Sequence, residues 1–201
     1  MTTYCLTLNP LGKDAMPTWC SSWATQDGKV MVPVEHDWHH TDKSEGDDPD
    51  ESIQQGADML NAAIAEHLSD PADSVYVASH SKGSQVVGRW LIKYGPTSTF
   101  DPAKLKFVTS GNPTSAKDHV PWIKYPTPTG TAYTLIDLGR DKDGWCRWPN
   151  GSSNLFEIIG AFIGMFTVHK NYYDVQLNSV GVPTSYDSTG TIGTTAWYTL
   201  P

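Results

Sequence analysis

The stretch Val75-Tyr76-Val77-Ala78-Ser79-His80-Ser81-Lys82-Gly83-Ser84-Gln85-Val86-Val87 decides how this chain is read. A short β-branched and aromatic run ends in a knot of small polar residues, and an apolar helical pattern follows at once. That is the strand–turn–helix setting of a nucleophile elbow, where a serine is held at the tip of a sharp turn. Small residues must flank the serine, because the backbone is strained and strand and helix pass close together. Ser79, Gly83 and Ser84 meet that need. The strict pattern has glycine two residues before the serine, and Ser79 stands there instead.

Working outward, Thr3–Leu8 alternates and is β-prone, Thr18–Gln26 reads as a short helix, and Lys29–Val34 reads as a second strand. From Glu35 to Asp50 the composition shifts to His, Asp, Glu and Gly, a solvated loop. Ser52 and Gln55 form a capping box, and Ile53, Ala57, Leu60, Ile64 and Leu68 recur at helical spacing up to about Asp70-Pro71. Ser74–Ala78 is the strand before the serine and Gly83–Tyr94 the helix behind it. Leu105–Thr109 and Ala132–Ile136 are further strands, Leu155–Val168 an apolar helix, and Thr194–Leu200 a last strand. Strands alternating with helices predict an α/β fold, a central, mostly parallel sheet with helices on both faces. In such sheets sites form at the carboxyl ends of the strands, where Ser81 lies.

With 201 residues the chain suits one domain over residues 1–201. A formal charge of −8 leaves no basic stripe for phosphates, which argues against nucleic-acid binding. Eight tryptophans and nine tyrosines suit either an amphipathic binding surface or a ring-rich core. No secretory leader and no membrane-spanning run is evident. Cys5, Cys20 and Cys146 fit neither a disulfide framework nor a zinc spacing, so they read as reduced thiols of a protein made in a cytoplasm, or with one pair bridged if it is later released.

A serine hydroxyl needs a base within hydrogen-bond reach, and the base needs an acid to orient it. Of the two histidines after Ser81, His119 comes too early for the order serine, acid, histidine, and His169 follows the apolar helix. Asp137, Asp141 and Asp143 all follow the strand Ala132–Ile136. Asp143, in a glycine turn, is the first choice; Asp137, capping the strand, is the second; Asp141, between Arg140 and Lys142, faces solvent. His36, Asp37, His39, His40 and Asp42 share a loop without metal-ligand spacing and read as solvated, so no metal is assigned. His80, beside the serine, is expected to point elsewhere. Nearly every position from Leu155 to Val168 is apolar or small, more than one buried face requires. Part of that helix, Phe162 included, is expected with Trp145 and Trp148 to line an acyl-chain groove.

Four stretches carry a family resemblance: Glu51-Ser52-Ile53-Gln54-Gln55-Gly56, the turn Ser79–Ser84, Gly111-Asn112-Pro113, and Asp143-Gly144-Trp145-Cys146-Arg147-Trp148-Pro149 with His169-Lys170-Asn171-Tyr172. Through them the chain resembles the cutinase-like α/β-hydrolases. It is most similar to PE-PPE-type serine esterases of mycobacteria and to phage lysin-B-type mycolyl-arabinogalactan esterases. The likeness runs from about Glu51 onward, and the tail Thr194–Pro201 also looks like the end of that domain.

The resemblance implies a serine esterase with Ser81 as nucleophile, Asp143 as acid and His169 as base, acting on lipid or glycolipid acyl esters without cofactor or metal. Backbone N–H groups of Lys82 and of Gly12 or Lys13 would form the oxyanion hole. The family usually has glycine at Ser79 and glutamine at Lys82. Secreted cutinases staple the acid loop through a cysteine matching Cys146; no partner is evident here, so packing is expected to hold it. A phage-encoded protein, released from the host cytoplasm at lysis or carried on the virion, is the implied setting. The alternatives are a non-catalytic envelope-binding module on the same fold, or acyl transfer to an alcohol.

Overall fold

The computed structural model describes residues 1–10, 16, 28–36, 51–123, 125–170, 172, 175, 185–187 and 194–200. Its strands are β1 Thr3–Leu8, β2 Val30–Pro33, β3 Ser74–His80, β4 Leu105–Ser110, β5 Thr134–Arg140, β6 Ser185–Asp187 and β7 Thr195–Leu200. Its longer helices are α1 Glu51–His67, α2 Lys82–Lys93 and α3 Leu155–Thr167. The strands form one sheet in the order β2-β1-β3-β4-β5-β7-β6, parallel throughout except for the antiparallel edge strand β6.

Chain order runs outward in opposite directions from the β1–β3 pair. This opens a crevice beyond the carboxyl ends of those two strands, the usual place for a ligand in an open α/β sheet. The turn carrying Ser81 leaves β3 at that crevice.

Side-chain alternation divides the buried strand residues between two cores. Leu6, Val75, Val77, Leu105, Phe107 and Leu135 point to one face and meet Ala57, Leu60 and Ile64 of α1 and Val86, Val87, Trp90 and Leu91 of α2. Trp90, Phe107 and Tyr133 pack ring on ring with centroids 5.1 to 5.8 Å apart, so three of the many aromatics are core. Cys5, Ala78, Val108, Leu138 and Leu200 point to the other face, against Met16, Tyr172 and Val175. Burial on both faces explains why these strands read as near-continuous apolar runs.

Several details differ from the sequence reading. Strand β5 starts and ends later than Ala132–Ile136, so Asp137 lies inside it, opposite Thr109 of β4, and does not cap it. Helix α1 begins at Glu51, which puts Ser52 within its first turn, buried, and not at a capping position. His36, expected in a solvated loop, is 6% exposed. Strand β6 was not expected: three residues pairing at an edge leave no periodic signal. Thr18–Gln26, Cys20 and the loop from Asp37 to Asp50 lie outside the described residues.

Candidate functional site

Ser81 sits between β3 and α2 with φ 53° and ψ −116°, a backbone conformation that costs a non-glycine residue about 1–3 kcal/mol. Hydrogen bonds on both sides hold it there. Its N–H donates to the Ser110 carbonyl at 3.0 Å, and its own carbonyl accepts from the Ser84 N–H at 2.9 Å. Gly83 is obligatory, because a Cβ there would run into the Leu8 carbonyl at the end of β1. Ser79 takes the usual glycine position without strain: its hydroxyl donates to the Val108 carbonyl at 3.2 Å and lies 3.2 Å from the Ser84 hydroxyl. Both hydroxyls are buried and partnered, so the departure from glycine carries no unsatisfied polar group.

The imidazole of His169 faces the serine, with Nε2 2.8 Å from Ser81 Oγ. Its other nitrogen, Nδ1, lies 3.0 and 3.1 Å from the two carboxylate oxygens of Asp143. A carboxylate only accepts, so Nδ1 carries the proton and Nε2 presents a lone pair to the serine hydroxyl. Asp143 is fully buried and His169 is 8% exposed, which keeps water from competing for these bonds. The arrangement can pass a proton from a hydroxyl to a ring and hold the resulting imidazolium beside a fixed negative charge.

Two turns make this convergence possible. Lys142 adopts φ 66°, which swings the chain after β5 so that the next carboxylate points inward. The Asp143 carbonyl then accepts from the N–H groups of Cys146 and Arg147, and the Trp145 N–H donates to Asp143 Oδ1 at 3.1 Å. Gly111, at φ +50°, lies beneath the two histidine rings. A Cβ there would stand 2.8 Å from His80 Cε1 and 2.9 Å from His169 Cε1. The quoted Gly111-Asn112-Pro113 thus has a local physical reason that its sequence alone did not reveal.

Helix α3 is set against the acid loop by its smallest residues. Ala161, Gly164 and Met165 are its buried positions, and any side chain at Gly144 or Gly164 would strike backbone of the other segment. Apart from Glu157 and Thr167, the exposed surface of α3 is apolar: Phe156 is 85% exposed, with Leu155, Ile159, Phe162, Ile163 and Phe166 also exposed. Phe162 lies on that exposed side, its ring 5.5 Å from that of Phe166. The Trp145 ring stands 6.0 Å from that of His169, while Trp148 packs edge-on against Trp122.

Other candidates separate from this group. The Asp137 carboxylate accepts from Thr109 at 2.7 Å and Ser115 at 2.6 Å. Burial raises its pKa, with those hydrogen bonds working in the opposite direction. Asp141 is exposed, and His119 Nδ1 meets the Ser115 carbonyl. Lys82 is buried at the start of α2; Gly12 and Lys13 lie outside the described residues.

His80 corrects an expectation, since its ring does not point away. It packs against His169 at 4.8 Å and Tyr172 at 5.0 Å, and burial, then the nearby His169, hold its pKa well below the ordinary value. Tyr172, to which the sequence reading gave no role, donates its hydroxyl to Asp143 Oδ2 at 2.8 Å. Its only sequence signal is its place in His169-Lys170-Asn171-Tyr172. Among the described residues no group of three or more His, Cys, Asp or Glu side chains is arranged to hold a metal.

Comparison with known proteins agrees with this architecture. Residues 25–201 match the PE-PPE domain family. The PE family protein PE3 of Mycobacterium tuberculosis is 28% identical over 160 residues, 70% of this chain and 34% of that protein, so the chain spans about a third of its length. A cutinase-like protein from Cryptococcus sp. superposes with a TM-score of 0.58 at 14% identity, covering 85% of this chain and 92% of the other. Lysin B from mycobacteriophage D29 gives 0.52 at 17% identity, covering 81% and 73%. At these identities the structural likeness establishes a cutinase-like α/β-hydrolase fold.

Proposed function

We propose, for a chain that belongs to the PE-PPE domain family, that it is a serine esterase hydrolysing carboxylic esters with lipid-like acyl chains. One observation carries the reading: a serine hydroxyl in a strained elbow, 2.8 Å from an imidazole whose other nitrogen lies 3.0 Å from a buried carboxylate.

The chemistry follows from those positions. Ser81 Oγ attacks the ester carbonyl carbon as its proton passes to His169 Nε2. The carbonyl oxygen becomes an oxyanion held by the Lys82 N–H and a second backbone donor, for which Gly12 and Lys13 are the candidates. Loss of one such donor costs about 3 kcal/mol of transition-state stabilisation. Collapse expels the alcohol, which takes the proton from Nε2 and leaves an acyl group on Ser81. Water then attacks that acyl-enzyme, giving its proton to Nε2, and the acid departs as Ser81 recovers its hydrogen. Asp143 holds the ring and balances the imidazolium throughout.

The lipid-like substrate rests on α3, which seats its small residues on the acid loop, leaves a row of large apolar side chains exposed on its other side, and leads within two residues to His169. Trp145, with its ring 6.0 Å from that of His169, adds an aromatic surface beside the imidazole. Among the described residues no helix is long and apolar enough to cross a membrane. The fold shared with a mycobacteriophage lysin B and the kinship with a mycobacterial PE protein point toward mycolyl esters of an actinobacterial envelope, and toward a phage-encoded lysin or virion component.

Turnover of p-nitrophenyl esters tests the reading. Ser81→Ala abolishes hydrolysis while thermal unfolding stays nearly unchanged; undiminished turnover in that variant refutes the nucleophile. A folded protein that hydrolyses no ester of any chain length supports instead a binding module on the same fold.

A further inference from the structure

We propose that Tyr172 is a positioning residue of the esterase proposed above, on which this inference rests, and that its hydroxyl clamps the acid loop to the segment carrying the base. The direction of its hydrogen bonds is forced. The Arg140 N–H, at the end of β5, donates to the phenolic oxygen at 2.8 Å, so the single hydroxyl proton goes to Asp143 Oδ2, also at 2.8 Å. Three separate pieces of chain therefore meet at one oxygen: the strand end, the acid loop, and the segment three residues beyond His169.

A fully buried carboxylate needs several donors to remain ionised. Asp143 has the His169 ring, the Trp145 N–H from its own turn, and Tyr172. Trp145 holds the turn to itself, whereas of these three donors Tyr172 alone also binds the end of β5. The thiol of Cys146 is free, buried and 3.6 Å from the same hydroxyl, so this cysteine contributes a contact and not a covalent staple. Burial, then Cys146 and Asp143, push the phenol pKa well up, which keeps it a donor. Its ring continues the brace, since His80 packs against both Tyr172 and His169, and the Arg140 guanidinium lies 5.7 Å from the ring centroid.

The clamp has a signature that simple packing lacks. The hydroxyl draws charge from the carboxylate, so its removal leaves Asp143 more negative and the imidazolium of His169 better stabilised. In Tyr172→Phe the acidic limb of the kcat/KM profile moves up by about one pH unit. Over the same change kcat falls about tenfold with KM little altered, because substrate does not touch this residue.

The test compares wild type and Tyr172→Phe in pH–rate profiles, with active sites counted by a fluorophosphonate probe. An unchanged kcat and acidic limb per labelled site overturns the clamp and leaves the esterase standing. If wild type is not labelled, the esterase reading fails, and the clamp is judged by proton NMR of the wild-type protein. A slowly exchanging Tyr172 hydroxyl proton close to the His169 ring supports it, and a freely exchanging one overturns it. The same measurement decides the matter if Tyr172→Phe does not fold.

Discussion

Gly164 of α3 rests directly on the carbonyl of Lys142, with no room for a methyl group between helix and acid loop. Gly144 makes the reciprocal approach to Ala161. The residue before Asp143 and the residue after it are thus both gauged by the helix that ends just before His169. Asp143 and His169 keep their spacing because one rigid element touches the loop of the first and delivers the second.

Gly164→Ala separates these roles. In an exposed helix the change stabilises by about 1 kcal/mol. Here overpacking outweighs propensity, and the variant loses about 1–3 kcal/mol of stability. Esterase activity falls at least tenfold as Asp143 is pushed away from His169. Urea denaturation and ester turnover read the two effects; a more stable and fully active variant shows that the loop is not seated on the helix.

Asp137 and Asp143 are both buried carboxylates on or just after β5, and only one faces the imidazole. Asp143→Asn lowers kcat by about 10³–10⁴-fold, because an amide no longer selects the ring tautomer. Asp137→Asn, whose partners are Ser115 and Thr109, keeps kcat within a few-fold. Reversed outcomes reassign the acid.

His80 makes stability depend on pH. Its folded pKa is depressed by burial and by His169, so below pH 6.5 the unfolded chain takes up a proton that the folded protein refuses. The unfolded state then binds more protons, and stability is lost as pH falls from 6.5 toward the depressed value, by up to about 1.4 kcal/mol per pH unit. Chemical denaturation between pH 7 and 5 shows this slope in wild type, and His80→Phe flattens it. An unchanged slope in the variant assigns the dependence to another group.

On the proposed reading, the apolar face of α3 sets acyl-chain preference. Phe156→Ala and Phe162→Ala lower kcat/KM for long-chain p-nitrophenyl esters several-fold and leave the acetate ester unaffected. Equal loss on every ester, or none, puts the acyl site elsewhere.

Much of the fold was legible because its signals are periodic. The stripe Ile53, Ala57, Leu60, Ile64, Leu68 gives α1, and the apolar runs around Val75, Leu105 and Leu135 give three adjacent parallel strands. The serine turn was legible for a different reason: Gly83 answers a collision with Leu8 that any larger residue would make. Tyr172 and His80 were missed as contributors because their partners lie 29 residues away or more, or on another strand. No local spacing encodes such a contact. Asp137 was displaced for a related reason, since strand ends are set by pairing with β4 and β7, which the segment's own composition does not contain.

Fluorophosphonate labelling followed by peptide mapping decides whether Ser81 is a nucleophile, because only a serine activated by its neighbours reacts quickly. The expected result is one modified residue, Ser81, with labelling lost in Ser81→Ala and slowed by orders of magnitude in His169→Ala. An unlabelled, folded wild-type protein, or a label on any other serine, contradicts it.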